Sequence, residues 1–145
     1  TFWTELLISV NPQSSSLVDY DMITDDSNNA IIAFTDTRNG SEINPFIYKI
    51  NSQGNFIWGS NGISLSNDAG TFQANPRLAK TSDNSIVVTW IYSSSPNKIA
   101  FQKISPGGSK LWGTDPVYLS GTGTENFTYP SLVTSDNGSA ISLWS

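Results

Sequence analysis

Apolar residues recur along this chain at a fixed long period. Three tryptophans, Trp3, Trp58 and Trp112, are separated by 55 and 54 residues. Each is followed five and seven positions later by two more apolar residues, namely Ile8 and Val10, Ile63 and Leu65, and Val117 and Leu119. Apolar residues at alternate positions are typical of a half-buried β-strand, so the pattern predicts one strand at the same place in each repeat.

A second set of aromatic residues follows the same period. Phe34, Trp90 and Trp144 are separated by 56 and 54 residues, and each ends a short, mostly apolar run. Each run is preceded by a polar turn that is rich in Asp and Asn. Two independent sets of positions with one period indicate an internal repeat.

The middle copy of the repeat predicts four strands. They lie near Arg77–Lys80, at Ile86–Tyr92, at Ile99–Ile104 and at Pro116–Ser120. The turn at Ser105–Gly108 separates the last two strands, and its glycines supply a positive φ. No segment shows a helical period with caps at both ends. Four short strands per repeat are typical of the blade of a β-propeller.

The predicted fold class is therefore all-β, with four-stranded antiparallel blades of about 54 residues in a partial β-propeller. Residues 1–16 are expected to end a preceding blade, 17–70 and 71–124 to form two full repeats, and 125–145 to start a third. A closed ring takes roughly 4–8 blades, and this chain supplies about two and two-thirds. The outer strands are expected to pair with the rest of a longer polypeptide or with another chain.

Composition narrows the function. The sequence contains no Cys and no His, which excludes disulfides, Cys/His zinc sites and a Ser-His-Asp triad. Seven scattered basic residues and a net charge of −5 argue against a nucleic-acid partner. No apolar run is long enough for a membrane span. Only 13% of the residues are charged, and the Asn-, Ser-, Thr- and Gly-rich surface favours a secreted or cell-surface location.

Four residues are candidate ligand contacts. Asp36 and Arg38 are two positions apart and would face the same side of an extended chain. They form either a ligand contact or a structural ion pair. Tyr92 and Tyr118 do not recur at the repeat period, which makes them candidates for an exposed aromatic contact.

Asp25 and Asp26 are candidate metal ligands in the turn before Phe34. Oxygen ligands of this kind suit calcium. The alternative is ordinary turn chemistry, in which Asp and Asn side chains bind nearby backbone amides. No other cofactor is expected.

The periodic aromatic residues are predicted to pack between blades rather than to stack on sugars, because every repeat needs one at the same place. As a core aromatic, Trp112 would lower the free energy of unfolding by about 3–5 kcal/mol when replaced by Ala. The predicted core residues are Trp3, Phe34, Trp58, Trp90, Trp112 and Trp144.

The first repeat combines several short motifs in a fixed order. They are Asp25–Asn29, Ile31–Phe34, Asp36-Thr37-Arg38, Ile47-Tyr48, Gly54 and Trp58-Gly59. This order resembles the β-propeller-type repeats of large secreted and surface proteins of Bacteroidetes, many of which carry a type IX secretion sorting domain. The resemblance implies a propeller-type fold and secretion, without an assigned activity. The second copy departs from it, with Tyr92-Ser93-Ser94 in place of Asp-x-Arg.

The leading hypothesis is a non-catalytic module, secreted or on the cell surface, that binds protein or glycan. One alternative is a fragment of a glycan-active enzyme, for which Asp36 with Asp68 or Asp115 with Glu125 could supply paired carboxylates. Another is a structural subunit that completes a larger assembly. The sequence assigns no catalytic residue.

Overall fold

The computed structural model describes residues 19–145, and all regular secondary structure in that range is β-strand. The strands form two four-stranded antiparallel sheets followed by a two-stranded hairpin. The prediction of an all-β chain with four-stranded antiparallel units is therefore confirmed. The strand predicted around Leu6–Val10, the core position Trp3 and the predicted range 1–16 lie outside the described residues.

The first sheet is a simple meander in which each strand pairs with the next. Its third strand is buried almost throughout, and its fourth strand is only two residues long. The strands are β1 (Tyr20–Thr24), β2 (Ala30–Asp36), β3 (Asn44–Ile50) and β4 (Ile63–Ser64).

The second sheet repeats this order with β5 (Gln73–Lys80), β6 (Ile86–Tyr92), β7 (Lys98–Ile104) and β8 (Val117–Leu119). The predicted second strand is confirmed at both ends. The first strand begins four residues earlier than predicted. A bulge between Ala74 and Arg77 accommodates Asn75, whose φ is 58°, together with the proline that follows it.

The hairpin consists of β9 (Ser131–Thr134) and β10 (Ala140–Leu143). It corresponds to the first two strands of a sheet. The connections 65–72 and 120–130 separate the sheets and the hairpin, and they contain the expected repeat boundaries at 70/71 and 124/125.

The hydrogen bonds of the turns recur at the period of the sequence. The backbone N–H groups of Asp25, Thr81 and Ser135 each donate to the carbonyl oxygen four residues later, at 3.1, 2.9 and 3.0 Å. After the third strand of each sheet, Gly54 donates to Asn51 and Gly108 donates to Ser105, both at 2.9 Å. The three units therefore share backbone geometry as well as apolar positions.

Successive sheets pack face to face. We call the side of a sheet that lies toward the next sheet in the chain its forward face, and the opposite side its backward face. The forward face of the first sheet and the backward face of the second form one continuous core, which removes a large apolar area from water. Its fully buried members include Ile31, Ala33, Ile47, Val88, Trp90 and Ala100.

Trp58 joins the first two sheets at the edge of this core. Its Nε1 donates to the carbonyl oxygen of Pro106 at 3.1 Å. Gly108 lies under the ring, where a Cβ atom would stand 2.8 Å from Cδ1 of Trp58. The φ of Gly108 is 92°, so both the backbone and the indole require glycine there.

The repeated aromatic positions differ in burial. Trp90 is 0% exposed, and its Nε1 donates to Oε1 of Gln73 at 2.8 Å. Phe34 is buried, and Trp58 and Trp144 are half-buried.

Trp112 departs from the core prediction, because 42% of it is exposed. Trp58 is covered by the turn that follows the third strand of the next sheet. The hairpin supplies only β9 and β10, so the described residues include no such turn to cover Trp112.

The described sheets do not close into a ring. Within 19–145 there is no helix with the length and apolar character that a membrane crossing requires.

Candidate functional site

Successive antiparallel strands place the connections alternately at the two ends of the sheets. The β2–β3, β4–β5, β6–β7 and β8–β9 connections lie at one end, which we call the Tyr92 end. Asp36, Arg38 and Tyr92 lie there, and Tyr118 belongs to the adjoining strand β8. The metal candidates Asp25 and Asp26 lie at the opposite end.

Tyr92 and Tyr118 form an aromatic pair on the second sheet. Their ring centroids are 5.0 Å apart at an interplanar angle of 68°, an edge-to-face contact. The register explains the contact, because Tyr92 pairs with Lys98 and Tyr118 pairs with Ala100, two positions further along β7. The three side chains share the backward face.

Lys98 completes this group. Its Nζ lies 5.8 Å from the ring centroid of Tyr92 and 5.8 Å from that of Tyr118. A cation at this distance from an aromatic face is attracted by the quadrupole of the ring. The contact therefore holds a positive charge beside both tyrosines.

Asp68, in the connection before β5, fixes Tyr92. The hydroxyl of Tyr92 donates a short hydrogen bond to Oδ2 of Asp68, which also accepts from Thr71 Oγ1 at 2.8 Å. Gly70 N–H donates to the other carboxylate oxygen at 3.1 Å. The hydrogen bond from Tyr92 lowers the pKa of Asp68, and the same bond raises the pKa of Tyr92.

A shallow cavity of about 430 Å³ opens at the Tyr92 end. It lies between the β6–β7 loop and the segment that follows β8. Oδ1 of Asn126 accepts from the backbone N–H of Asn97 at 2.8 Å and so links the two segments. The cavity is lined by Ser94, Ser95, Pro96, Gly123, Thr124 and Asn126.

We call Tyr92, Lys98, Tyr118 and this cavity the tyrosine site. The aromatic pair stands where the two cavity-lining segments leave the sheet, since Tyr92 precedes one segment and Tyr118 the other. Asp68 holds Tyr92 in place, whereas Tyr118 is 39% exposed. The site thus combines an exposed ring, an ammonium group and hydroxyl and amide side chains.

Asp36 and Arg38 have a different environment. Nη2 of Arg38 contacts Oδ2 of Asp36 at 2.8 Å, and Nη1 donates to the hydroxyl of Tyr48 and to the carbonyl of Asn61 at 2.8 and 2.9 Å. The guanidinium carbon lies 4.3 Å from the ring centroid of Phe46. Asp36 is 0% exposed. This arrangement is the structural ion pair rather than a ligand contact, because Asp36 has no accessible surface.

The charges of this pair stabilise each other. Burial by itself opposes the charge of Arg38, yet hydrogen bonds with Asp36 and Tyr48 raise its pKa above the ordinary value.

Asp25 is committed to its own turn. Its Oδ1 accepts from the backbone N–H groups of Ser27 and Asn29, both at 2.9 Å, and its Oδ2 contacts Nζ of Lys49 at 2.7 Å. Burial opposes its charge, but the hydrogen bonds from Asn29 and Lys49 outweigh burial and lower the pKa. Asp26 is exposed and pairs with Lys80. Residues 19–145 contain no cluster of three acidic side chains that could hold a metal ion.

The carboxylates proposed for an enzyme have separate partners. Asp36 binds Arg38, whereas Asp68 binds Tyr92. Asp115 accepts from Asn67 at 3.1 Å, and Glu125 accepts from the backbone of Gly123 at 2.7 Å.

The structure thus brings two of the four predicted contacts, Tyr92 and Tyr118, into one site and places Asp36 and Arg38 in the first sheet. Lys98 and the cavity were not predicted from the sequence. A signal for Lys98 was available, since it follows Tyr92 across a short loop that contains Pro96. Two strands joined by such a loop place their flanking residues opposite each other.

A comparison of the chain with protein-family models, with curated proteins and with solved structures finds no match.

Proposed function

We propose that this chain is part of a β-propeller-type repeat that binds a glycan at the tyrosine site without catalysis, outside the cell or on its surface. Two observations support the architecture: the turn hydrogen bonds recur, and each sheet packs on the next. The resemblance to the secreted repeats of Bacteroidetes supports the location.

The exposure of Tyr118 on a covered face carries the proposal. Tyr118 lies opposite Ala100, which is buried against the first sheet, so its ring belongs to an interface that is already formed. Its exposure therefore does not result from an uncovered sheet. An aromatic ring that remains accessible beside a packed core is available for a ligand.

The chemistry of the site suits a sugar. Sugar rings present apolar C–H faces that pack on tyrosine, and their hydroxyl groups need hydrogen-bonding partners. Ser94, Ser95, Thr124 and Asn126 supply such groups in the adjacent cavity. A shallow cavity with several polar side chains, next to an exposed aromatic ring, can orient a short stretch of polysaccharide.

The electrostatics argue against Asp68 as the general acid of a glycoside hydrolase. A general acid in such an enzyme needs a carboxyl whose pKa is raised, so that it holds a proton near neutral pH. The hydrogen bond from Tyr92 lowers the pKa of Asp68 instead. Asp68 therefore acts as a fixed acceptor that positions Tyr92.

The test compares two exposed tyrosines. The full chain and its Tyr118→Ala and Tyr20→Ala variants are screened on a glycan array, and affinities for the bound glycans are measured by calorimetry. Tyr20 is exposed on the first sheet and serves as the matched control. We expect Tyr118→Ala to weaken binding at least about ten-fold, because the stacked ring is lost. Tyr20→Ala should bind like the parent chain.

Two results would overturn the proposal. The first is the absence of binding to every glycan on the array. The second is a Tyr118→Ala variant that retains the parent affinity.

A second candidate function, assembly with another copy of this chain, rests on the forward face of the hairpin. Val133, Ile141 and Leu143 are all exposed there. The corresponding faces of the two sheets are covered, so the exposed residues favour a partner that buries them. Light scattering on a sizing column tests this candidate. A discrete oligomer that Ile141→Ser dissociates would support it, and a monomer at all concentrations would contradict self-assembly.

A further inference from the structure

Lys98 differs from the other basic residues of the chain. All seven Lys and Arg residues lie within 19–145, and five of them form ion pairs with Asp. Lys110 donates to the carbonyl of Thr114 at 3.1 Å. Among the basic side chains, that of Lys98 alone makes no ion pair or hydrogen bond with the described residues, and its Nζ lies beside the two tyrosine rings.

An uncompensated ammonium is unusual in this protein. The net charge is −5, with twelve acidic residues to seven basic ones. The lysines on the third strands of the two sheets each form an ion pair with an aspartate, Lys49 with Asp25 and Lys103 with Asp83. No carboxylate of the described residues forms an ion pair with Lys98.

We infer that the tyrosine site recognises an anionic sugar, with Tyr118 contacting a ring face and Lys98 pairing with a carboxylate or sulfate group. The inference rests on the proposed glycan-binding function and adds a substrate class to it. A lysine is a compact point charge with three donors, so it can accept either anionic group.

The nearby acidic groups leave room for such an anion. Asp68 is bound by Tyr92, Thr71 and the backbone of Gly70, all of which donate to its carboxylate. Asp115 accepts a hydrogen bond from Asn67. Neither carboxylate pairs with Lys98, so an incoming anion does not have to displace a bound one.

The position of Lys98 makes the contact specific. It is the first residue of β7, and its strand partner is Tyr92. The ammonium is therefore held beside the rings by a regular strand rather than by a mobile loop. A sugar that stacks on Tyr118 would bring a substituent of its ring within reach of the ammonium group.

The experiment uses pairs of oligosaccharides that differ only in charge. Hexagalacturonic acid is compared with its methyl ester, and a sulfated carrageenan oligosaccharide with its desulfated form. Affinities are measured by calorimetry on the full chain and on its Lys98→Gln and Lys110→Gln variants. Lys110 lies at the opposite end of the second sheet and is the control of equal charge.

We expect at least one anionic probe to bind about ten-fold tighter than its neutral partner, with the difference shrinking as salt rises. Lys98→Gln should abolish the difference, and Lys110→Gln should preserve it. Tighter binding of hexagalacturonic acid would identify a carboxylate ligand, and tighter binding of the carrageenan oligosaccharide would identify a sulfate ligand.

Three results would overturn the inference. If the neutral and anionic partners bind equally, the preference for charge is wrong while the glycan-binding proposal stands. If no oligosaccharide binds, either here or on the array, both fail. If hexaglutamate binds as tightly as hexagalacturonic acid and Tyr118→Ala does not weaken it, the site recognises charge on a peptide rather than a sugar.

Discussion

The two four-stranded sheets have the same strand order and turns, but their side chains differ at the Tyr92 end. Their turns have equivalent hydrogen bonds, and a lysine of each third strand forms an ion pair with an aspartate, in the pairs Lys49–Asp25 and Lys103–Asp83. At the Tyr92 end they diverge. The first sheet buries Asp36 under Arg38, whereas 56 residues later the second sheet has Tyr92 and opens toward Tyr118.

This comparison separates two kinds of position. Periodic residues build the sheets and their packing. Non-periodic residues decide whether the end of a sheet is closed by its own side chains or left accessible. The glycan-binding proposal accordingly rests on positions where the repeat is broken.

The largest expected effect is at the shared core. Trp90→Ala should lower the free energy of unfolding by about 3–5 kcal/mol, because it leaves a large cavity and removes the hydrogen-bond donor of Gln73 Oε1. Urea denaturation followed by circular dichroism measures the change. A loss below about 1 kcal/mol would contradict the packing of the two sheets on each other.

A smaller effect is expected at the closed end of the first sheet. Arg38→Ala should cost about 3 kcal/mol, because it removes the guanidinium from the buried carboxylate of Asp36. The double variant Asp36→Asn/Arg38→Met keeps the volume and removes both charges. It should be less destabilised than the single variant in the same denaturation experiment. Equal stability of Arg38→Ala and the parent chain would mean that the pair does not close this end.

The smallest effect distinguishes two tryptophans at equivalent positions. Trp58→Ala should cost about 2 kcal/mol, since its ring packs on Gly108 and donates to Pro106. Trp112→Ala should cost less than about 1 kcal/mol, because no described turn covers it. Acrylamide quenching provides a second measurement: the fluorescence of each variant is subtracted from that of the parent chain, and the difference reports the accessibility of the replaced tryptophan. Equal costs would show that Trp112 is buried after all.

The sequence predicted the strands well because each repeat confirms the others. Apolar alternation and turn residues at a common period placed β6 correctly and β5 within a few residues. The start of β5 was missed because the strand continues beyond a bulge that contains Asn75 and Pro76, and a proline argues against the interior of a strand. A bulge is a local irregularity of the backbone that apolar alternation does not reveal.

The candidate site was predicted only in part. Lack of periodicity drew attention to Tyr92 and Tyr118, but it could not show that their rings touch. That contact depends on the pairing of β6 with β7 and of β7 with β8, and on Asp68 from the connection before β5. The burial of Trp112 was wrongly predicted for a related reason, since burial depends on what a neighbouring sheet supplies.

The indole of Trp58 packs on the turn at Gly108, so the contact between successive sheets is asymmetric. The first sheet completes its edge with atoms from the second, so its edge cannot be fully ordered until the second sheet has folded. In a nearest-neighbour description, the coupling between units includes a contact that one unit supplies and the other receives. Amide exchange should therefore show the β3–β4 connection opening together with the turn after β7, as one cooperative unit that crosses the sheet boundary.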